Sequence, residues 1–135
     1  MIELKSPFRR AAPGDAKPMA DFVNFASEGL ALYLWTKMAG PGDDPWAFGR
    51  ERAGRETGAF SYRNTIVAEH DGRPIAGLIG FALPDHAEPI PDTMPAMFVP
   101  LQELEDLAPG TWHVNVLAAY PDARGKGHGR ALLDA

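Results

Sequence analysis

Residues 111–133 read TWHVNVLAAYPDARGKGHGRALL and hold the most informative pattern in the chain. Polar and apolar residues alternate from position 111, which predicts a strand through residue 119 with one polar and one apolar face. A Tyr-Pro-Asp turn follows, and a basic glycine-rich segment, residues 124–130, then leads into the apolar start of a helix. A strand, a glycine-rich turn and a helix start together favour an anion site, because free N–H groups and the helix dipole point towards the ligand.

The glycine spacing distinguishes between known phosphate-binding patterns. The Walker pattern Gly-x4-Gly-Lys-Ser/Thr does not occur in the sequence. A dinucleotide fingerprint beginning at Gly125 would require a glycine where Arg130 stands. The segment does fit Arg-x-x-Gly-x-Gly, with Arg124, Gly127 and Gly129 in the defined positions. Residues 111–133 combine a strand, a Pro-Asp turn, this loop and a helix start. In this combination and order they resemble the GNAT superfamily of acyl-CoA-dependent N-acetyltransferases.

The resemblance implies a mixed α/β fold in which a largely antiparallel central sheet carries helices on both faces. It also implies that the loop amides hold the pyrophosphate of CoA, and that the end of the strand pairs with the pantetheine arm. The residues so implied are Leu117, Ala118, Ala119, Arg124, Gly125, Lys126, Gly127, His128, Gly129 and Arg130. A complete family member continues with further strands and a helix, so we expect residues 1–135 to be the N-terminal portion of one such domain, with the C-terminal part missing.

The activity implied is transfer of the acetyl group of acetyl-CoA to a primary amine, on a small molecule or a protein, by direct attack in a ternary complex. His113 and Asn115 are the candidate catalytic residues, since some amine-acetylating relatives place histidines at what look like these positions and imidazole accepts protons near neutral pH. A solvent-facing histidine without a role is the alternative. A non-catalytic acyl-CoA-binding or regulatory domain, or an inactive fragment that fails to fold, is the alternative for the whole chain.

Two further groups of residues are candidates for the acceptor site. Glu103, Glu105 and Asp106 can receive a cationic amine or relay its proton, or they can form the solvated face of a short helix. Helices that precede the sheet often line the acceptor pocket in this family, so the aromatic residues of that region can line it or can belong to the core. These residues are Tyr33, Trp35, Trp46 and Phe48.

The rest of the chain predicts three helices, a hairpin and a short helix before the informative segment. The helices run from Asp15 to about residue 27, over residues 30–39, and from an Asp44 cap to about residue 54. Asp71-Gly72 is a favoured hairpin turn between strands at residues 64–70 and 73–83, and glycines at 77 and 80 indicate a bulge or a close neighbour. Residues 2–5 alternate like a short strand, and Pro100 can begin a helix that ends at Leu107.

Composition limits the remaining possibilities. At 135 residues, with 45% hydrophobic and 23% charged residues, the chain suits one globular domain. It has no cysteine, which excludes disulfides and thiolate chemistry, and no histidine–carboxylate spacing suggests a metal site. Residues 74–123 carry seven acids and neither lysine nor arginine, which disfavours nucleic acid. Without a long apolar run or a signal pattern, we expect a cytoplasmic protein, and an unfinished sheet edge allows a homodimer.

Overall fold

A single antiparallel sheet with helices on both faces organises the computed structural model, which describes residues 3–135. Its strands lie in the order β1-β2-β3-β4 and span Phe8–Arg10, Thr65–His70, Arg73–Ala82 and Trp112–Ala119. The helices of the described residues are α1, Ala16–Ala26; α2, Leu30–Met38; α3, Pro45–Ala53; α4, Val99–Asp106; and α5, His128–Asp134. The α/β class and the antiparallel sheet predicted from the sequence are confirmed.

The first three helices begin and end close to where the sequence predicts. Asp44 caps α3, since its carboxylate accepts a hydrogen bond from the amide of Trp46 at 3.0 Å, and Pro45 occupies the first turn, where no N–H is needed. Asp15 precedes α1 as expected, but its carboxylate does not bind the helix amides. It accepts instead from the Ala12 amide at 2.8 Å and from Arg9 at 2.7 Å, which ties the end of β1 to the start of α1.

The two faces of the sheet carry separate apolar clusters because side chains alternate along each strand. Val67 and Ile79 point towards α1, α2 and α3, where Phe22 and Met19 are fully buried. The alternate positions of β2 and β3 pack against α5 on the opposite face, where Leu132 is buried. Helices therefore cover both faces of the sheet, and the thicker layer is the one built from α1 to α3.

The predicted hairpin is confirmed, and its two internal glycines are explained by close neighbours. Asp71 and Gly72 both have positive φ, as a tight two-residue turn between right-twisted strands requires. A Cβ on Gly77 would lie 2.7 Å from the ring of Phe22, and one on Gly80 would lie 2.0 Å from the ring of Trp112. Each glycine thus makes room for an aromatic ring, on opposite faces of the sheet.

A bulge in the β3–β4 ladder interrupts the strict alternation that the sequence predicts for residues 111–116. Ile79 pairs with Val116 but Gly80 pairs with Val114, so one extra residue of β4 stands between these pairs. Paired residues share a face, which puts Val116 in the core beneath α1 and Val114 on the other face, where it is 41% exposed. The expected single apolar face of this strand is therefore wrong.

The strand predicted at residues 2–5 is also wrong in the part that can be checked. Residues 3–5 are not in a strand, and residue 2 lies outside the described residues. The first strand is instead β1, whose Arg9 pairs with Val67 of β2. Alternation over four residues is a weak signal, and pairing with β2 decides where the strand forms.

Between β3 and β4 the chain forms the predicted short helix, α4, with Pro100 in its first turn. No residue of α4 is buried, in contrast to α1. The backbone amide of Leu83 donates to the Thr111 carbonyl at 2.7 Å, which joins the two ends of the segment between β3 and β4. None of the helices in residues 3–135 is long and apolar enough to cross a membrane.

Candidate functional site

Two adjoining cavities follow the edge strand β4. One, of about 580 Å³, is bordered by residues 111–116 of the strand, and the other, of about 550 Å³, by residues 117–119. Ala26, at the end of α1, borders both cavities. Because β4 pairs only with β3 among the described residues, its other backbone edge is free along this side. The two cavities are therefore neighbours along one free strand edge.

The second cavity, which we call the loop cavity, ends at the glycine-rich segment. Gly125 and Gly127 have φ of +76° and +83°, in the left-handed region that favours glycine, and a Cβ on either would meet no atom within 4 Å. Within residues 3–135, the backbone amides of residues 125–130 donate to no protein acceptor. These amides include those of the first turn of α5, so the loop and the helix start present a row of donors suited to an anion such as a pyrophosphate.

Arg124 is held against the strand end. Its Nε donates to the Ala119 carbonyl at 3.0 Å, and its guanidinium lies 5.1 Å from the centroid of the Phe25 ring. The positive charge is thereby fixed between β4, α1 and the loop. Glu28 also borders the loop cavity, and its negative charge acts against the positive charge of Arg124 there.

The turn between α1 and α2 brings Ala26 and Glu28 to this position. Asn24 accepts from the Leu32 amide through its side-chain oxygen at 3.0 Å, and the Ser27 hydroxyl accepts from the Ala31 amide at 3.0 Å. These bonds fix a tight connection in which Glu28 adopts φ of +55°. A non-glycine residue in the left-handed region carries backbone strain, which the two side-chain bonds help to sustain.

The first cavity, which we call the apolar cavity, lies between α1, α2, the end of β3, α4 and β4. Most of its walls are aliphatic or aromatic. The apolar residues bordering it are Val23, Ala26, Leu30, Ala31, Leu34, Phe60, Leu83, Phe98, Leu101, Leu104, Ala108, Trp112, Val114 and Val116. Its size and apolar lining are those of a small-molecule site, in which a few polar groups set the orientation of the ligand.

The polar groups of the apolar cavity include the two candidate catalytic residues. His113 lies on β4, and its Nε2 is 3.7 Å from Oε1 of Glu105 on α4. Both side chains are partly buried, with exposed fractions of 33% and 26%, and the imidazole packs against Phe81 with ring centroids 5.3 Å apart. Asn115, the extra residue at the bulge, borders the same cavity. The structure thus brings His113, Asn115 and Glu105 together.

The other predicted site residues divide between the site and the surface. Lys126 and Arg130 are exposed and do not border the loop cavity, whereas the remaining eight residues of the predicted CoA set do. Glu103 is exposed outside the apolar cavity, and Asp106 accepts from Gln102 at 3.0 Å. Of the three acids considered for the acceptor, only Glu105 faces the apolar cavity.

The aromatic residues considered for the acceptor pocket have other roles. Trp35 is buried, meets Trp46 at 5.8 Å between ring centroids, and packs over Gly49. Tyr33 is exposed and lies under the ammonium of Lys37 at 4.7 Å. The side of α2 that borders the apolar cavity is aliphatic, and the sequence carried no signal for it because α2 is apolar nearly all round.

Tyr120, which follows β4, is held against α1 by a hydrogen bond and by contacts with aromatic rings. The hydroxyl of Tyr120 donates to Asp21, and the Tyr120 ring packs on Phe22 and Phe25 at 5.2 Å and 5.8 Å. Burial and the neighbouring carboxylate raise the pKa of Tyr120 well above its usual range. Within residues 3–135, no group of three or more histidines and acids is placed to hold a metal ion.

Comparison with known proteins gives the family of the chain. The sequence profile of the acetyltransferase (GNAT) family matches residues 30–135. An N-acetyltransferase from Staphylococcus aureus Mu50 is similar in structure, with a TM-score of 0.59 and 16% identity over 94% of this chain and 72% of the other. A structure described as an acetyltransferase gives a TM-score of 0.61 and 20% identity over 94% of this chain and 70% of the other. The curated protein sequences give no match.

Proposed function

The chain belongs to the GNAT acetyltransferase family, and we propose that it transfers the acetyl group of acetyl-CoA to a primary amine by direct attack in a ternary complex. The observation that carries this proposal is the pair of cavities that adjoin along β4 and share Ala26. A thioester lying along residues 117–119 would place its carbonyl next to the apolar cavity. An amine beside His113 would then reach that carbonyl without leaving the site.

Acetyl-CoA fits the loop cavity through backbone groups. The unpaired amides of residues 125–130 would bind the pyrophosphate, and Gly125 and Gly127 leave it room to approach. In the part of the chain that the structure describes, the outer edge of residues 117–119 pairs with no strand and holds only the bond from Arg124 to the Ala119 carbonyl, so it would pair with the amide groups of the pantetheine arm as a further strand pairs. A backbone N–H near Leu117 or Ala118 would polarise the thioester carbonyl and stabilise the oxyanion that develops there.

Direct transfer needs only a deprotonated amine and an oriented thioester. His113 would take one proton from the acceptor ammonium, with Glu105 stabilising the imidazolium that forms. The amine nitrogen then attacks the carbonyl carbon, so that a C–N bond forms and the C–S bond breaks. The CoA thiolate leaves and takes up the second nitrogen proton, which balances the reaction. Asn115 would orient the amine from the same wall of the cavity.

The donor site is tested by acetyl-CoA titration in a calorimeter, with ATP as comparator. Binding of acetyl-CoA is expected, and Gly127→Arg should abolish it because a side chain would then occupy the anion cradle. Gly42→Arg is the matched control, since Gly42 also has a left-handed backbone, with φ of +85°, and equally open surroundings. Equal loss in both variants, or none in either, would reject the loop as the CoA site.

The catalytic assignment is tested by the pH profile of amine-dependent thioester consumption. His113→Ala should lower kcat/KM by about 100-fold and remove the acidic limb of the profile. An unchanged rate and profile would show that another group accepts the proton. Binding of acetyl-CoA without turnover across a broad range of amines would instead support a non-catalytic acyl-CoA-binding domain.

A further inference from the structure

Within residues 3–135, no other part of the protein covers the face of α4 that borders the apolar cavity. Leu101, Leu104 and Glu105 follow the i, i+3, i+4 spacing of one helix face and border the cavity, as does Ala108 just after the helix. Leu101 and Leu104 are nevertheless 58% and 64% exposed. An apolar helix face that meets a cavity gains free energy when an apolar ligand displaces the water there.

Helix α2 supplies a second apolar wall. Leu30 and Leu34 lie one turn apart on α2 and border the same cavity. A chain of methylene groups or an aromatic ring between these walls would contact apolar atoms on both sides. A second charge on the ligand would have to be desolvated between the same leucines, at a cost in binding free energy.

The polar end of the cavity carries negative charge. Glu105 is the acid that borders it, and residues 74–123, which include α4, β4 and nearly all of β3, contain no lysine or arginine. Because the Glu105 carboxylate lies 3.7 Å from the His113 imidazole, a ligand that contacts one of these groups would also lie close to the other. An ammonium group would be attracted to that end and an apolar group to the rest.

We propose that the acceptor is a primary amine with a single charge and an extended apolar substituent, either an alkyl chain or an aryl group. This inference rests on the proposed function and names the substrate class of the same site. The ammonium lies against Glu105, within reach of His113, and the substituent lies between Leu104 and the leucines of α2. Specificity is then set mainly by the apolar walls.

The test compares straight-chain amines of increasing length with the matched diamine of hexylamine. Such amines have closely similar basicity, so differences in kcat/KM report binding of the chain. We expect kcat/KM to rise by up to about fourfold per methylene group, because that factor corresponds to the free energy of transferring one CH₂ group out of water. 1,6-Diaminohexane, which differs from hexylamine only at its far end, is expected to be about tenfold poorer because its second charge must be desolvated.

Matched variants on α4 locate the effect. Leu104→Asp should flatten the dependence on chain length, whereas Leu107→Asp should leave it unchanged, because Leu107 is 81% exposed and does not border the cavity. Glu105→Gln should raise KM for hexylamine about fivefold by removing the countercharge, and Glu103→Gln, at an exposed position outside the cavity, should not.

The outcomes separate this inference from the proposed function. If small or doubly charged amines are acetylated as well as hexylamine, or if both aspartate variants behave alike, the substrate class is wrong while amine acetylation stands. If no amine consumes the thioester, the proposed function fails. In that case, calorimetric binding of hexylamine and 1,6-diaminohexane to the same chain still decides, because preference for the monoamine supports the apolar site and equal binding overturns it.

Discussion

Helices α1 and α4 both border the apolar cavity, but they use their apolar faces differently. Helix α1 buries Met19, Phe22 and Val23 against the sheet, so its apolar face is covered by the core of the protein. Helix α4 buries none of its residues and leaves Leu101 and Leu104 at an open cavity. The difference shows that an apolar helix face does not by itself predict burial in the core, and we propose that a ligand covers the face of α4.

The largest expected effect comes from emptying the core beneath α1. Phe22→Ala removes a fully buried ring and should lower the free energy of unfolding by about 3–5 kcal/mol. Leu104→Ala removes a side chain that is mostly exposed and should cost less than about 0.5 kcal/mol. Denaturant unfolding of both variants measures the difference. Similar losses would mean that α4 is packed as tightly as α1.

The two glycines of β3 allow buried and exposed contacts to be compared by adding one methyl group to each. Gly77→Ala drives a methyl group into the ring of Phe22, which is fully buried and cannot move, so we expect a loss of about 2 kcal/mol. Gly80→Ala makes the closer contact, with Trp112, but that ring is 53% exposed and can swing outwards. Its expected cost is smaller, below about 1 kcal/mol. Thermal unfolding of the pair gives the ranking, and a larger loss at Gly80 would contradict it.

The ion pair at the start of α1 makes part of the stability dependent on pH. The hydrogen bond from Arg9 lowers the pKa of Asp15 below its usual range, so the carboxylate stabilises the fold above the ordinary carboxylate pKa of about 4, and this contribution is lost as the pH falls through the lowered value. Asp15→Asn should cost about 1.5 kcal/mol at neutral pH and progressively less in acid.

The control for this pH dependence is Asp92→Asn, at an exposed position. Denaturant unfolding from neutral to acidic pH should show a difference between wild type and Asp15→Asn that shrinks as the pH falls, and no such trend for Asp92→Asn. A difference that stays constant with pH would assign the loss at Asp15 to packing instead of to charge.

The smallest expected effect lies at the turn between α1 and α2. Glu28→Asn keeps a polar residue but suits the left-handed backbone, so it should raise the free energy of unfolding by about 0.5 kcal/mol. Glu28→Gln removes the same charge without relieving the backbone and serves as the control. If the loop cavity binds acetyl-CoA, both variants should tighten that binding about twofold by removing a like charge. Equal stability of the two variants would show that the backbone of Glu28 is unstrained.

Much of the fold, and the local backbone of the glycine-rich loop, could be predicted from the sequence because they depend on short-range rules. The Asp71-Gly72 turn, the Asp44 cap with Pro45, and the glycine-rich loop are each fixed by neighbouring residues. The same rules failed for the first strand, where alternation over a few residues competed with pairing to β2.

The apolar cavity could not be predicted by such rules, because the residues that border it are far apart in the chain. Nothing near Glu105 indicates that it faces His113 while Glu103 faces away, and nothing near Ala26 indicates that it borders both cavities. The extra residue at the bulge, Asn115, depends on the register between β3 and β4.

The family, the order of the helices and strands, and the glycine-rich turn before α5 follow from the amino-acid sequence, since each depends on residues within a few positions of one another. Three outcomes depend on the folded chain: α4 leaves its leucines at a cavity, Trp35 belongs to the core, and Glu105 lies beside His113. These outcomes depend on which surfaces the folded chain brings together, and packing against distant residues, not local preference, selects them.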